Sequence, residues 1–197
     1  MTARRKTLYL IDGSALVYRA YFAFIRNPLI NSKGENTSAA FGFVNSLAKI
    51  LREEDPEYIA VVFDTPKPTF RHERYPEYKS TRAKMPEELV EQLPRIRQAI
   101  DALQIVTLEL PGYEADDVIG TLARQAEQKG FDVWCVTGDK DYFQLVDDRI
   151  RIYYPKRAGD EAERLGPEEV TEKFGVPPER VTDKLALMGD SSDNVPG

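Results

Sequence analysis

The sequence predicts an α/β domain, with a mostly parallel central sheet and helices on both faces. Three observations predict it. Short, near-continuous apolar runs alternate with stretches whose apolar residues recur at helical spacing. Each apolar run is bounded by turn or polar residues, as a buried strand requires. The chain has 197 residues, 42% of them hydrophobic, which allows one domain with a sizeable core and a small appendage.

The elements follow in order. TLYLID (7–12) reads as a buried strand. TSAAFGFVNSLAKILREE (37–54) carries apolar residues at helical spacing, and YIAVVFD (58–64) is a strand again. EELVEQLPRIRQAIDAL (87–103) is helical, with a kink expected at Pro94. IVTLEL (105–110) is a strand, and EADDVIGTLARQAEQKG (114–130) a helix stopped by Gly130. DVWCVTGD (132–139) and RIRIYY (149–154) are strands on either side of a short helix, DYFQLV (141–146). Two segments break the alternation. Residues 65–86 form a long polar loop bounded by prolines, and residues 166–197 open with the helix start GPEEV and end on a turn-like sequence. The chain is therefore expected to be the N-terminal part of a longer protein.

Several function classes are excluded early. The formal net charge is −6, so bulk charge does not mark a nucleic-acid binder. Cys135 is the single cysteine, in the apolar run VWCVT, and is expected to be a buried reduced thiol of a cytosolic protein. No run approaches the roughly 20 apolar residues of a membrane span, and the basic start MTARRK leads straight into a strand without a signal-peptide core. Neither a GxxxxGK[ST] nor a GxGxxG loop occurs, which leaves nucleotide-cofactor readings without support. His72, the single histidine, lies in FRHERY with no nucleophile signature near it. It is expected to be exposed or to face phosphate, not to serve a catalytic triad.

The carboxylates carry the chemistry. Asp12, Asp64 and Asp139 each end a predicted parallel strand, and Glu114 opens a helix just after another. That strand edge is where open α/β sheets bind ligands. Asp141 lies two residues beyond Asp139. Asp190 and Asp193 are spaced to share one side of a helical turn. For any one of these a helix cap or turn is the simpler explanation, and for Asp116 and Asp117 favourable helix-dipole placement is. Four strand ends delivering acids to one edge is a different matter, because ionised carboxylates share a pocket only around a cation. With one histidine and one cysteine in the chain, the donors are oxygens, which favour Mg²⁺ or Mn²⁺ and also admit Ca²⁺. There are enough acids for two ions. Two hard cations about 4 Å apart are the usual apparatus for phosphodiester hydrolysis. At about 100° per residue, Asp117 falls near the helical face of Glu114 and Asp116 well round from it. Glu114 is thus expected to bind metal directly, and Asp116 to reach the cluster from the helix end or through water.

The loop 65–86 complements the acids. Lys67, Arg71, Arg74, Lys79, Arg82 and Lys84 face only Glu73 and Glu77, with Phe70, Tyr75 and Tyr78 between them. Cations neutralise phosphates and rings stack on unpaired bases. The loop leaves the sheet directly after Asp64, so it is tethered at the rim of the acidic pocket.

Five stretches in this order, LIDGSALVYRAYFA, VVFDTPKPTFRHERYPEYKSTR, GYEADDVIGTLA, VTGDKDYFQLV and LALMGDSSDNVPG, resemble the 5′ nuclease domains at the N-terminus of bacterial DNA polymerases I, in the flap endonuclease/5′→3′ exonuclease family. The resemblance runs from Leu8 to Gly197. It implies a PIN-like nuclease fold, with residues 1–165 as the nuclease core and 166–197 as the start of a helix-hairpin-helix subdomain. Carried over, Asp12, Asp64, Glu114, Asp116 and Asp117 look like one metal group, and Asp139, Asp141, Asp190 and Asp193 like the second. The basic segment looks like the family's arch or clamp. Lys79 and Arg82 match residues near the scissile phosphate, and Tyr78 an aromatic that contacts substrate. Arg71 matches a further phosphate ligand, and Tyr75 and Lys84 belong to the same DNA-facing surface. The implied substrates are DNA with a 5′ flap or nick and RNA primer–DNA hybrid. A polymerase domain on the same longer chain is implied as partner, in a bacterial, cytoplasmic, nucleoid-associated setting. The family pattern continues past GDSSDNVPG into the hairpin that grips duplex, so the chain alone is expected to bind DNA weakly. Other readings are an RNA-cleaving PIN-type nuclease, a binding module that has lost catalysis, and an aspartate-phosphorylating enzyme. They fit the long basic loop, the full set of acids and their number less well.

Overall fold

The computed structural model describes residues 5–156 and 161–197; the basic start at residues 1–4 lies outside the described residues. A six-stranded sheet forms the centre, in the order β3-β2-β1-β4-β5-β6. The strands are β1 (Thr7–Asp12), β2 (Tyr58–Val62), β3 (Val106–Leu108), β4 (Asp132–Val136), β5 (Ile150–Tyr154) and β6 (Glu163–Leu165). The first five run parallel, and β6 pairs antiparallel with β5 at the edge. The chain builds outward from β1 to β3 and then returns to lay β4 on the other side of β1. The direction of winding reverses between β1 and β4. A crevice opens beyond the carboxyl ends of strands at such a point.

The helices are α1 (Gly13–Ala23), α2 (Ser38–Glu54), α3 (Phe70–Arg74), α4 (Glu87–Val90), α5 (Leu93–Ala102), α6 (Ala115–Gln128), α7 (Pro167–Phe174) and α8 (Val181–Met188). Alternation along β1 divides the core. Tyr9 and Ile11 join the cluster under α1, α2 and α5, while Leu10 joins the cluster under α6, α7 and α8. In α2 the fully buried Ala39, Phe43, Leu47 and Ile50 form one stripe. Burying a side chain such as Leu47 contributes about 1.5–3 kcal/mol. Two backbone amides of the first turn of α2 donate to Gln92 Oε1, at 2.9 Å from Ala39 and 3.2 Å from Ala40. A side chain from the α4–α5 corner thus does the capping that Thr37 does not do.

The structure departs from the sequence expectations in identifiable places. Helix α1 was not anticipated; it starts directly at the end of β1, where Asp12 caps it through Ala15 N–H. The expected kinked helix over 87–103 is two helices, with Pro94 in the first turn of the second, where its missing N–H costs nothing. The strand expected over 105–110 shortens to the three residues of β3 at the sheet edge. The short helix after β4 is a 3₁₀ turn over Lys140–Leu145. Gly130 does end α6, at φ 85°. Asp190 and Asp193 lie on no helix: Gly189 at φ 69° and Asn194 at φ 59° turn the chain into a loop closed by a bridge between Asp190 and Val195. The apolar residues Val170 and Val181 of the 166–197 segment are buried in the same cluster as α6. Among the described residues no helix is long and apolar enough to cross a membrane.

Candidate active site: an acidic cleft under a basic turn

Eight of the nine predicted acids line one cleft at the carboxyl edge of the sheet: Asp12, Asp64, Glu114, Asp116, Asp139, Asp141, Asp190 and Asp193. Each arrives for a local reason. Asp12 ends β1 and caps α1 through one oxygen, at 2.9 Å from Ala15 N, while the other accepts from Thr137 Oγ1 at 3.2 Å and Tyr142 OH at 3.4 Å. The helix cap and the cleft carboxylate are therefore the same side chain, with one oxygen given to the cap. Asp64 follows β2; its backbone N–H donates to Ser14 Oγ and its Oδ1 accepts from Ala115 N at 2.8 Å. Glu114 is the extended residue before α6 and is only 7% exposed. Asp139 caps the 3₁₀ turn through Asp141 N–H. Asp190 accepts from Ser192 N at 2.8 Å and lies 3.5 Å from Lys140 Nζ.

Burial and crowding show in the acidities. Burial, with the charges of Asp64 and Asp139, pushes the Asp12 carboxyl up to about 6. Burial and the Asp117 and Glu114 charges push Asp116 up to about 7. Burial, Asp139 and Asp190 push Asp141 up to about 6. Asp141 Oδ1 is buried without a hydrogen-bond partner. A buried oxygen without a donor, among carboxyls that resist ionisation, fits a hard divalent cation. The donors around it are all oxygens, which fits Mg²⁺ or Mn²⁺. Among the described residues no three side chains yet converge to hold an ion. Side-chain cations stand between them instead.

Those cations come from the turn after α3. Lys79 Nζ lies 2.7 Å from Glu114 Oε1 and 3.8 Å from Asp193 Oδ2. Arg82 pairs with Asp193. Tyr78 is 8% exposed, and its hydroxyl lies 2.9 Å from both Glu114 Oε2 and Asp193 Oδ2. Burial and these carboxylates hold its phenol far above the ordinary range. The hydroxyl has one proton and donates to one acid at a time.

Four predicted placements change. Asp117 does not line the cleft. Arg71 grips it with two bonds of 2.7 and 2.8 Å, and it also accepts from Glu114 N at 3.0 Å. Burial raises the Asp117 carboxyl, but these bonds outweigh it and hold it below the usual range. The helical-wheel argument fails because Glu114 has extended, non-helical backbone, so its side chain does not share the face that 100° steps assign. Asp116 is the one that joins it at the cleft. Arg71 is correspondingly engaged with protein rather than presented to phosphate. Tyr78 is buried under the turn, not offered for stacking, because its hydroxyl finds two carboxylates. His72 is neither exposed nor phosphate-facing: its Nδ1 lies 3.0 Å from Thr69 Oγ1 and 3.2 Å from Thr69 N, at the start of α3. Tyr75 is half-buried and Lys84 exposed. The polar loop of 65–86 is thus one short helix and a turn folded down onto the acids.

Sequence reasoning missed Thr137 and Tyr142, which orient Asp12, and Arg19 and Lys140, which bring further positive charge to the cleft. Arg19 was findable had α1 been recognised, since it lies one helical turn beyond Ala15 at the cleft. Cys135 is fully buried and its thiol is pushed up to about 12.

Residues 7–175 match the family model described as the 5′-3′ exonuclease, N-terminal resolvase-like domain. DNA polymerase I of Bacillus subtilis is 49% identical over 198 residues, covering 100% of this chain and 22% of that protein. The chain thus spans about a fifth of the length of the curated relatives it matches. A structure of T5 5′-exonuclease with zinc bound shares the fold at a TM-score of 0.76 and 23% identity, over 98% of this chain and 70% of that one. A bacteriophage T5 D15 flap endonuclease in a pseudo-enzyme-product complex with DNA and metal ions has a TM-score of 0.75 at 25% identity, over the same shares. By its match over most of its length, this chain belongs to the family of 5′-3′ exonuclease N-terminal resolvase-like domains.

Proposed function

We propose that the chain is a structure-specific 5′ nuclease. It hydrolyses phosphodiester bonds at 5′ flaps and nicks in duplex DNA and at RNA primers on DNA, in replication and repair, with two divalent cations, Mg²⁺ or Mn²⁺. One observation carries the reading: eight carboxylates from five separate segments of the chain line one cleft, and Lys79 and Arg82 lean over it. The metal-bound and DNA-bound T5 enzymes, which share the fold, support it.

In this reading Asp12, Asp64, Glu114 and Asp116 hold one cation, and Asp139, Asp141, Asp190 and Asp193 the other. The cations supply charge neutralisation and activation of water for attack on the phosphorus. The chain's own residues do the rest. Ala15 N–H and Thr137 fix the two oxygens of Asp12, so it presents a set orientation. Lys79 and Arg82 exchange their carboxylate partners for the scissile phosphate and stabilise the charge that develops there. Arg71 holds Asp117 and so braces the start of α6, which carries Glu114 and Asp116. Tyr75, Lys84 and the remaining basic residues of the turn steer the single-stranded 5′ end by charge. Residues 1–165 are the nuclease core and 166–197 the start of a DNA-gripping helical subdomain. A polymerase domain on the same longer chain, as in the relative named DNA polymerase I, places new flaps near the cleft.

The test is a 5′-labelled flap duplex incubated with and without Mg²⁺, beside Asp116→Ala and Asp139→Ala. Metal-dependent release of short 5′ products, lost in both variants, is expected. No cleavage in Mg²⁺ or Mn²⁺, by this chain or by one extended at its C-terminus, would remove the nuclease reading in favour of a binding module.

A further inference from the structure

The turn that carries Lys79 and Arg82 has little core of its own. Of residues 75–82 only Tyr78 is buried, and Lys79 itself sits at φ 57°. Beside the bonds of Tyr78 and Lys79 to Glu114, polar bonds to the loop of residues 189–194 hold the turn in place. Lys79 N–H donates to Asp193 O at 2.9 Å, and Arg82 Nε to Ser192 O at 3.2 Å. Asn194 adds three connections. Its Nδ2 donates to Glu77 O at 3.0 Å and to Ser80 Oγ at 3.3 Å, and its carbonyl accepts from Tyr75 OH at 3.1 Å. It bonds to Tyr75, Glu77 and Ser80 of the turn.

Position 194 makes two demands at once. The backbone is left-handed, at φ 59°, which asparagine tolerates better than most residues. The side chain must donate to a main-chain carbonyl, which an aspartate of the same shape cannot do. Asn194 meets both, and it follows directly on Asp193, the acid that pairs with Lys79, Arg82 and Tyr78.

We propose that Asn194 is a positioning residue: its carboxamide pins the 75–82 turn to the acid-bearing loop and so sets where Lys79 and Arg82 stand over the cleft. No cation or substrate is needed for the pin. The consequence for catalysis rests on the nuclease reading above; the consequence for the turn does not.

Trypsin separates the two, because its targets Lys79 and Arg82 lie in the turn. The 197-residue protein is digested under limiting protease without metal, as wild type and as Asn194→Gly and Asn194→Asp. Glycine keeps the left-handed backbone and deletes the pin; aspartate keeps the shape and deletes the donor. Nicking after Lys79 and Arg82 is expected to rise about tenfold in both, as the turn opens more often. The thermal midpoint should barely move, since the pin lies outside both apolar clusters. Should Asn194→Gly lower the midpoint, Ser80→Ala removes one acceptor of the carboxamide without touching position 194 and must raise nicking in the same place. Wild-type nicking rates in the Asn194 variants would overturn the proposal. In flap cleavage the variants should lose kcat with little change in KM. Equal loss through KM alone, or no loss with raised nicking, would overturn the positioning role. If wild type itself cleaves no flap, the nuclease reading falls and the trypsin result still decides what Asn194 does.

Discussion

Replacing Asp116 with asparagine should make the metal-free protein more stable at pH 8 and less responsive to Mg²⁺. Burial and the neighbouring Asp117 and Glu114 raise the Asp116 carboxyl from 3.8 to about 7 in the fold. A raised carboxyl means the folded state holds its proton longer than the unfolded chain does. The cost to stability is absent below the unfolded value, grows as pH rises through that window, and is complete above the folded value. Each pK unit is worth about 1.4 kcal/mol, so the full shift corresponds to about 4 kcal/mol, of which about 2 kcal/mol remains after solvent screening of a group that is not fully enclosed. Asparagine has the same shape and no charge. It should gain about 0.7 kcal/mol at pH 5, where the charging cost is only partly present, and about 2 kcal/mol at pH 8, or about 4–8 °C for a domain of this size. With Mg²⁺ the order reverses. Wild type should gain about 2.7 kcal/mol at a hundredfold excess over Kd, and the variant much less. Thermal melts at both pH values, in EDTA and in Mg²⁺, read all four quantities. The reasoning is refuted if Asp116→Asn is no more stable than wild type at pH 8 in EDTA, or if both gain equally from Mg²⁺.

The two bonds between Arg71 and Asp117 predict a different phenotype: Asp117→Asn should cost about 1.5–3 kcal/mol in urea unfolding and leave Mg²⁺ affinity, measured by calorimetry, close to wild type. Lys79→Ala should lower kcat for flap cleavage by about 100- to 1000-fold, the usual loss of one charge-stabilising donor, with the folded state intact by circular dichroism. Gly13→Ala should destabilise by about 1–3 kcal/mol, because a methyl there would sit 2.7 Å from the Phe63 ring and 2.8 Å from Val61, both in the core. A melting curve unchanged by that substitution would show that the β1–α1 junction has slack.

The sheet was legible because its strands are buried on both faces and read as continuous apolar runs; β1, β2, β4 and β5 all lie where those runs are. What escaped is what tertiary contacts decide. Helix α1 begins without a turn after β1, and its start signal, the capping Asp12 of DGSALVYRAYFA, is the same residue that ends the strand. The edge strands β3 and β6 are three residues each, too short for any periodicity to register. Among the acids, strand-end position was enough to find the cleft. It could not separate Asp116 from Asp117, because the split depends on Arg71, 46 positions away from Asp117, and on the extended backbone of Glu114. Tyr78 read as a stacking ring because nothing local shows that two carboxylates will bury its hydroxyl.

The cleft carboxylates are proposed to seat divalent cations. Crystals of the protein soaked in Mn²⁺, with an anomalous difference map, test that most directly. Peaks should appear within ligand distance of Asp12, Asp116 and their cleft neighbours and of Asp139 and Asp141, with none on Asp117, and the Lys79 ammonium should have moved off Glu114. A cleft without anomalous density, or a peak seated on Asp117 with Arg71 displaced, would contradict it.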